Sequence, residues 1–361
     1  MNLESSQTGH NGLSATQMES KVMRFGVVLV NYNGWEDTRE CLDSLLRCTD
    51  SHHKRIVVVE NASSGNRLDE FRILYPSVDW VGSEVNTGWS GGNNLGIRFL
   101  LENEPSLDFI FLLNNDTIVS EDIFEVLTQG FEQGYEIVGP VINEYKTPEI
   151  IQTQGVVFNQ KNRPMEFFSV IETPIDENTI RVTSVDIVNG CAVCIRREVF
   201  ERIGLIDDRF FLICEESDFC LRAIEAGFRC GVIHRTGVWH KHSVTFAKAG
   251  KPIQRYYSTR NLLLLISKHP HREGRRGWFS SRILWLKMAY YLYCTEQERS
   301  NHAGAQAVCM GLADGLTGRY GRSGLESSWL SGIFSELFEV LRWTVLRFRN
   351  LGGRTTTTKP G

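Results

Sequence analysis

Four short stretches hold residue types that could work together on one reaction. Asn114-Asn115-Asp116 follows the apolar run 109–113 and sets one carboxylate just beyond it. Open α/β sheets bind ligands outside the carboxyl ends of their strands, and an Asp placed there can hold a hard divalent cation against phosphate oxygens. It can equally form an Asx turn that caps a helix starting near Glu121; the stretch alone does not decide. Glu215-Glu216-Ser217-Asp218 crowds three carboxylates into the opening of a helix that runs to Ala226-Gly227. The positive end of the helix dipole accounts for one or two acids, but not for three directly after an apolar run. The same dipole would keep such a carboxylate ionised, as a general base requires.

The third stretch, Asn86 to Gly96, is rich in glycine. Glycines let backbone approach a phosphate or ribose, and the N-terminus of the helix that follows supplies free N–H groups. It is not GxGxxG and it lacks Gly-Lys-Ser/Thr, so it is neither a dinucleotide fingerprint nor a Walker loop. A tight turn that needs glycine for its backbone angles is the plainer alternative. The fourth stretch, Val238-Trp239-His240-Lys241-His242-Ser243, sets His240 after a short strand. That His is either a metal or phosphate ligand or an ordinary satisfied polar residue.

The elements that must position these residues alternate. Strand-length apolar runs at 25–30, 56–59, 78–81 and 109–113 are separated by helical spacing at 38–48 and 67–74. This pattern over the first 140 residues predicts an α/β fold with a doubly wound, mostly parallel sheet. Three of its strands end in polar loops, and those loops must lie at one edge. From 140 to 190 the runs become shorter and more polar, at 155–158, 167–171 and 182–188. They predict a mixed or antiparallel extension where an acceptor would dock, followed by a helix near 197–203. The organisation expected is a disordered leader at 1–22 and a catalytic domain at 23–250, divided near 140 into donor and acceptor halves. A helical region at 251–354 and a disordered tail at 355–361 complete it. Leu330, Ile333, Phe334, Leu337, Phe338, Leu341, Val345 and Phe348 form an apolar stripe at helical spacing, with Arg342, Arg347 and Arg349 nearby. The stripe would pack on the catalytic domain or a twin subunit, or else lie on a membrane surface.

Composition narrows the classes. A formal net charge of −4 over 361 residues gives no footprint for nucleic acid. The charge is uneven: residues 251–361 carry 17 Lys and Arg against 7 Asp and Glu, so the basic third could face an anionic membrane or substrate, or simply be a solvated face. Nine cysteines, an odd number set within strand-like and helix-like runs, point to reduced thiols in a cytosolic protein. Cys191-Ala-Val-Cys194 has no second pair and no adjacent His, which argues against zinc. The first residues lack an apolar signal segment, and no stretch of about 18 apolar residues exists to span a membrane.

Taken together, the chain resembles family-2 inverting glycosyltransferases of the GT-A fold, particularly their rhamnosyltransferase-like branch. The likeness rests on VVLVNYNG (27–34), VVVENASS (57–64), NTGWSGGNNLGI (86–97), FLLNNDT (111–117), VNGCAVCIRREVFERIGLIDDRFF (188–211), EESDFCLRAIEAGF (215–228), VWHKHS (238–243) and YYSTRN (256–261). It implies a nucleoside-diphosphate sugar bound at the sheet edge with Mg²⁺ or Mn²⁺. By position Asp116 would be the metal ligand, Asn114 takes the place of the motif's first acid, and His240 matches a His that joins the metal shell in some members. Asn31 and Glu60 would sit beside the nucleoside, and Asn86, Gly92 and Asn93 would line the donor pocket with Asn114 and Asn115. Glu216 stands where the family carries the Asp that acts as base, with Glu215 and Asp218 as supporting acids, and Glu60 replaces a customary Asp. The implied activity is inverting transfer of a sugar, a deoxyhexose such as rhamnose, to a saccharide or lipid-linked acceptor. Cell-surface polysaccharide synthesis is the implied setting, in the cytoplasm or at the inner face of the membrane. A non-catalytic sugar-nucleotide-binding module would keep the loops without the base. A sugar-phosphate nucleotidyltransferase would need a Gly- and Lys/Arg-rich loop after the first strand, where this chain has Asn31-Tyr32-Asn33-Gly34.

Overall fold

The first four apolar runs form β1 (Arg24–Asn31), β2 (His53–Asn61), β3 (Asp79–Ser83) and β4 (Phe109–Asn114), all parallel in the spatial order β3-β2-β1-β4. This is a computed structural model, and it describes residues 22–65, 67–157, 169–170, 180–241, 252–270 and 277–352. The leader expected at 1–22, apart from its last residue, and the tail at 355–361 lie outside the described residues. Register fixes what happens at the sheet edge. Asn31 pairs with Glu60, and Val30 pairs with Asn114, so three polar strand ends stand side by side.

Both faces of this sheet are buried, as its nearly continuous apolar strands require. Val27, Leu29, Val58 and Phe111 face α1 (Trp35–Leu46) through Cys41, Leu42 and Leu45. Val28, Val57, Val59 and Leu112 face α3 (Gly88–Asn103) through Ile97 and Leu100, while α2 (Leu68–Leu74) links β2 to β3. The period of two along each strand sorts alternate residues into two separate cores.

Beyond β4 the chain forms β5 (Thr117–Val119), α4 (Ile123–Glu132), β6 (Ile137–Glu144), β7 (Ile151–Thr153), β8 (Val156–Val157), β9 (Ser169–Val170), β10 (Val182–Val185), β11 (Ala192–Arg196) and, after two more helices, β12 (Cys230–His240). The sheet continues β4-β11-β6-β12-β10; β11 is antiparallel to both neighbours and β6–β12 is parallel. The sequence reading leads from Cys191 straight into a helix and so omits β11. Four apolar residues and an Arg are too few for periodicity to separate from the helix that follows. The extension is mixed, as expected, although its strands are shorter. Val156–Val157 and Ser169–Val170 pair as a two-stranded ribbon, and the rest of 158–168 and 171–179 lies outside the described residues.

After β11 come α5 (Arg197–Ile203), a 3₁₀ turn at Asp208–Phe210 and α6 (Glu215–Glu225). The helical region consists of α7 (Pro252–Lys268), α8 (Gly277–Glu298), α9 (His302–Thr317) and α10 (Trp329–Gly352). Its own core holds Leu262, Ile266, Trp285, Tyr293, Val308, Leu312 and Phe338. Of the expected stripe on α10, Phe338 is buried and Phe334 packs beside it, but Ile333, Leu337 and Leu341 stay well exposed. Only Phe334 and Phe338 of the stripe are therefore seen to pack on the neighbouring helices; Val345 and Phe348 lie outside the described side chains. Among the described residues no helix is long and apolar enough to cross a membrane.

Close helix–sheet contact depends on two glycines of the Gly-rich stretch. A methyl at Gly96 would overlap the Val28 side chain, and one at Gly92 would stand 2.7 Å from Val30 Cγ1. Gly96→Ala must therefore push α3 off β1, and overpacking of this kind costs ~1–3 kcal/mol. The expected outcome is a lower urea midpoint with an unchanged slope.

Candidate active site

At the β1–β2 edge, the Glu60 carboxylate accepts hydrogen bonds from Asn31 Nδ2 (2.6 Å) and from the Ser63 hydroxyl (3.0 Å). Asn31 Oδ1 accepts from the Gly34 amide and the Thr38 hydroxyl, each at 3.1 Å. Asn115 Nδ2 donates to the same hydroxyl at 2.9 Å. Asn31 is fully buried and Glu60 nearly so. The structure thus brings Asn31, Glu60 and Asn115 together, but as the brace that shapes the Asn31–Gly34 turn. Both side chains stand at the sheet edge where a nucleoside is expected beside them, and these hydrogen bonds fix their orientation there.

The Gly-rich loop differs from expectation in two ways. Gly92 faces Val30 and Asn61 at the helix–sheet interface, where its missing Cβ serves packing. The N-terminus of α3 also offers fewer free donors than a phosphate cradle needs. Trp89 N and Ser90 N donate to Phe211 O (2.8 and 3.4 Å), and Gly88 N donates to Asn86 Oδ1 at 2.8 Å. Gly88 has φ of +73°, and a side chain there would collide with the Phe211 carbonyl. Asn93 is buried and donates to Trp89 O, again an internal bond. What the loop does present is the Trp89 indole, whose Nε1 donates to Asn114 Oδ1 at 3.0 Å.

Asp116 does not cap a helix. The residue before α4 is Asp122, and Asp116 Oδ1 lies 3.1 Å from His240 Nε2. Register is the cause: β12 runs antiparallel to β5, with His240 opposite Thr117, and Lys241 N closes the pair by donating to Asp116 O at 2.9 Å. His240 Nδ1 is 3.0 Å from Gln152 Oε1, and the buried Cys191 neighbours the ring. Burial opposes a charge on His240, but Cys191 and the Asp116 carboxylate outweigh it and raise its pKa to about 10. Among the described residues no group of three or more His, Cys, Asp and Glu is arranged to hold a metal. An Asp–His pair could give an ion two ligands and leave its other positions to water and phosphate oxygens, once His240 releases the proton that its raised pKa holds.

Glu216 stands in the first turn of α6, half-buried, beside Gly190. A methyl at Gly190 would lie 3.2 Å from the Trp89 ring and 3.3 Å from Glu216 Cβ. Gly190 is therefore the slot in which the indole and the acid meet, and Trp89 carries the contact on to Asn114 at the end of β4. Burial raises the Glu216 pKa, although the backbone amides of Glu216 and Ser217 pull it down. Burial and the helix terminus thus act in opposite directions on this carboxylate, and burial is the larger.

The two supporting acids go elsewhere. Asp218 is fully buried; its carboxylate pairs with Arg222 (2.9 Å), Lys268 (2.8 Å) and His269 (3.0 Å). Burial works against its charge, but His269, Arg222 and Lys268 bring its pKa below the usual value. Asp218 fastens α6 to the end of α7 and takes no place beside Glu216's slot, a correction of its expected role. Glu215 is buried with Oε2 unpartnered, and burial first, then the neighbouring Glu216, pushes its pKa well up. Trp89, Gly190, Cys191 and Gln152 are functional neighbours that residue-by-residue reading passes over. Three of the four lie inside the motifs quoted for the resemblance, which was the available signal.

A mostly parallel, doubly wound sheet with an Asp–His pair at its carboxyl edge, an acidic helix opposite and a helical C-terminal part is the GT-A glycosyltransferase architecture. The chain belongs to the glycosyltransferase-like family 2, whose model matches residues 23–259. It is similar to the low-salt glycan biosynthesis hexosyltransferase Agl10 of Haloferax volcanii, 28% identical over 281 residues that cover 74% of this chain and 86% of that one. It is also similar to the dTDP-rhamnosyl transferase RfbF of Shigella flexneri, 26% identical over 251 residues, 67% of this chain and 79% of the relative. Among solved structures, TarS 1–349 of S. aureus shares the fold with a TM-score of 0.50 at 12% identity, covering 82% of this chain and 83% of that one. The chain is a glycosyltransferase.

The raised Glu215 pKa has a thermodynamic sign. The folded state holds its proton to higher pH than the unfolded chain does, so stability falls as pH rises above the ordinary value of 4.5. Glu215→Gln should accordingly raise the melting temperature at pH 7 to 8 and give no gain at pH 4. Thermal melts at the two pH values check this.

Proposed function

We propose that the protein transfers a sugar from a nucleoside-diphosphate donor to a hydroxyl of a saccharide or lipid-linked saccharide, with inversion at the anomeric carbon. The observation that carries the reading is the pairing of Asp116 with His240 at one strand edge, while Glu216 packs at Gly190 against the indole that holds Asn114. A deoxyhexose such as rhamnose, on a thymidine diphosphate carrier, is the favoured donor. The similarity to RfbF, a dTDP-rhamnosyl transferase, supports it. Synthesis of a surface glycan is the favoured setting.

The residues divide the work. Asp116 and His240 would hold Mg²⁺ or Mn²⁺, which when bound offsets the charge that grows on the departing diphosphate. Asn114, fixed by the Trp89 indole, keeps its amide group at the same strand end. Glu216 accepts the proton of the incoming hydroxyl as the new glycosidic bond forms. Attack comes from the face opposite the diphosphate, and that inverts the centre, as the base-activated water does in an inverting glycosidase. Burial helps, since a carboxylate with a raised pKa is a stronger base once ionised. Glu216 has one methylene more than Asp and extends from the helix by that much.

General-base help is typically ~10²–10⁴-fold, so Glu216→Gln should lower kcat by about that factor while donor affinity holds. The wild-type rate should rise with pH through a limb above the usual carboxylate range, because only the ionised base works and its pKa is raised. The experiment incubates the protein with dTDP-rhamnose, UDP-glucose or GDP-mannose, Mn²⁺ or Mg²⁺, and an acceptor, and follows nucleoside diphosphate. Near-normal turnover by Glu216→Gln would remove the base assignment, and pyrophosphate as the product would point to a nucleotidyltransferase instead. Asp116→Ala should weaken donor binding and the response to added metal together; an unchanged metal titration would take Asp116 out of the site.

A further inference from the structure

The YYSTRN stretch at 256–261 has no part in the chemistry above, yet its last two side chains are among the most buried polar groups in the protein. Arg260 is 1% exposed and Asn261 is not exposed at all, both on α7. Neither spends its donors on a carboxylate. Asn261 Nδ2 reaches three backbone carbonyls, those of Phe210 (2.9 Å), Leu212 (2.7 Å) and Ile213 (2.7 Å). The Arg260 guanidinium takes Phe210 O (3.0 Å), Arg209 O (3.1 Å) and Gly321 O (2.7 Å), and its Nε donates to Asn261 Oδ1 at 2.8 Å, which fixes the amide's orientation. The guanidinium also lies over the Tyr257 ring at 4.7 Å, and Tyr257 stacks on Phe211.

The segment so held is unusual. Phe211, Ile213 and Cys214 have φ of 62°, 73° and 74°, in the left-handed region that non-glycine residues rarely adopt. Such residues persist only where the surroundings over-determine them. Cys214 is the residue before α6, so the chain passes from this segment directly into Glu215 and Glu216. The remaining carbonyl, Phe211 O, accepts from Trp89 N and Ser90 N, and Trp89 forms the other wall of the Gly190 slot. One short piece of backbone therefore sets both the acid and the indole.

We propose that Arg260 and Asn261 are positioning residues for transfer: by capturing the carbonyls of 209–213 they hold the left-handed turn that aims Glu216 into the slot against Trp89. The inference rests on the reading of Glu216 as the base. The helical region then completes the active site, because α7 contributes groups without which the base loses its direction. Catalysis is sensitive to small displacements of this kind; a misplacement of about 1 Å can cost ~10²-fold.

The test uses the full chain, with dTDP-rhamnose or the donor that the screen above selects in its place. Asn261→Ala and Arg260→Lys should lower kcat ~10²-fold while donor KM stays near wild type, because the Asp116–His240 edge is untouched. Hydrogen exchange of the amides at 212–217 should quicken in the same variants, with the sheet amides unchanged. If Asn261→Ala does not fold, Ile213→Gly combined with Asn261→Ala takes its place, since glycine accepts a positive φ without penalty; the same loss of kcat is expected. Wild-type kcat in the folded variants, or equal losses in kcat and donor affinity, would overturn the proposal. Glu216→Gln measured alongside separates the two claims. Retained turnover in Glu216→Gln removes the base and the clamp's purpose with it, whereas an inactive Glu216→Gln beside a fully active Asn261→Ala removes the clamp alone.

Discussion

The Phe211 carbonyl is the point on which the two sides of the site depend. It accepts from the first amides of α3, whose indole reaches Asn114 at the end of β4, and it belongs to the turn that launches α6 with Glu216. A single backbone acceptor thus spans the donor-side helix and the acceptor-side helix, which are far apart in sequence. It also explains why Gly88 must be glycine, because any Cβ there would occupy the carbonyl's place. In a low-dielectric interior such a bond is strong, and leaving either partner unpaired is costly.

How far the sequence could be read follows from this. Features set by local pattern are legible: the apolar runs of β1, β2 and β4, their polar ends, the crowded acids of α6, and His240 at the end of its strand. Their meeting at one edge follows from parallel pairing, and register alone brings Asn31 beside Glu60. Features set by a distant partner are not legible. Nothing near Trp89 indicates that its amide is taken by Phe211, and nothing near Asp218 indicates Lys268 and His269 on another helix. The same holds for Gly92, where a rule about phosphate approach competed with a rule about helix–sheet packing, and packing against Val30 won. The strand β11 was lost for a different reason: a five-residue element carries too little periodicity to declare itself.

Local rules also fail where function concentrates. The left-handed angles of Phe211, Ile213 and Cys214, a buried carboxyl oxygen of Glu215 without a partner and two adjacent acids with raised pKa values coincide within residues 211–216. Elsewhere the strands agree with their sequence at every level, from alternation to core. Several kinds of conflict coinciding in six residues mark a site held in place by its surroundings.

Those surroundings reach past the catalytic sheet. The family match ends at residue 259, and the next two residues, Arg260 and Asn261, carry the bonds that hold the strained turn. They can do so because α7 is itself pinned: Tyr256 donates to Asp314 of α9, Trp285 of α8 donates to Thr259 O, and Gly311 lets α9 approach the Tyr256 carbonyl closely. Asp218 adds a second tie, from α6 to Lys268 and His269 at the other end of α7. Glu216 thus sits on a helix fastened to α7 both before and after it. The division at residue 250 suggested by composition is crossed by packing as well as by bonds: Phe211 packs with Tyr256 and Tyr257, and Phe210 and Leu221 with Leu264 and Leu265, so the base is held from both sides.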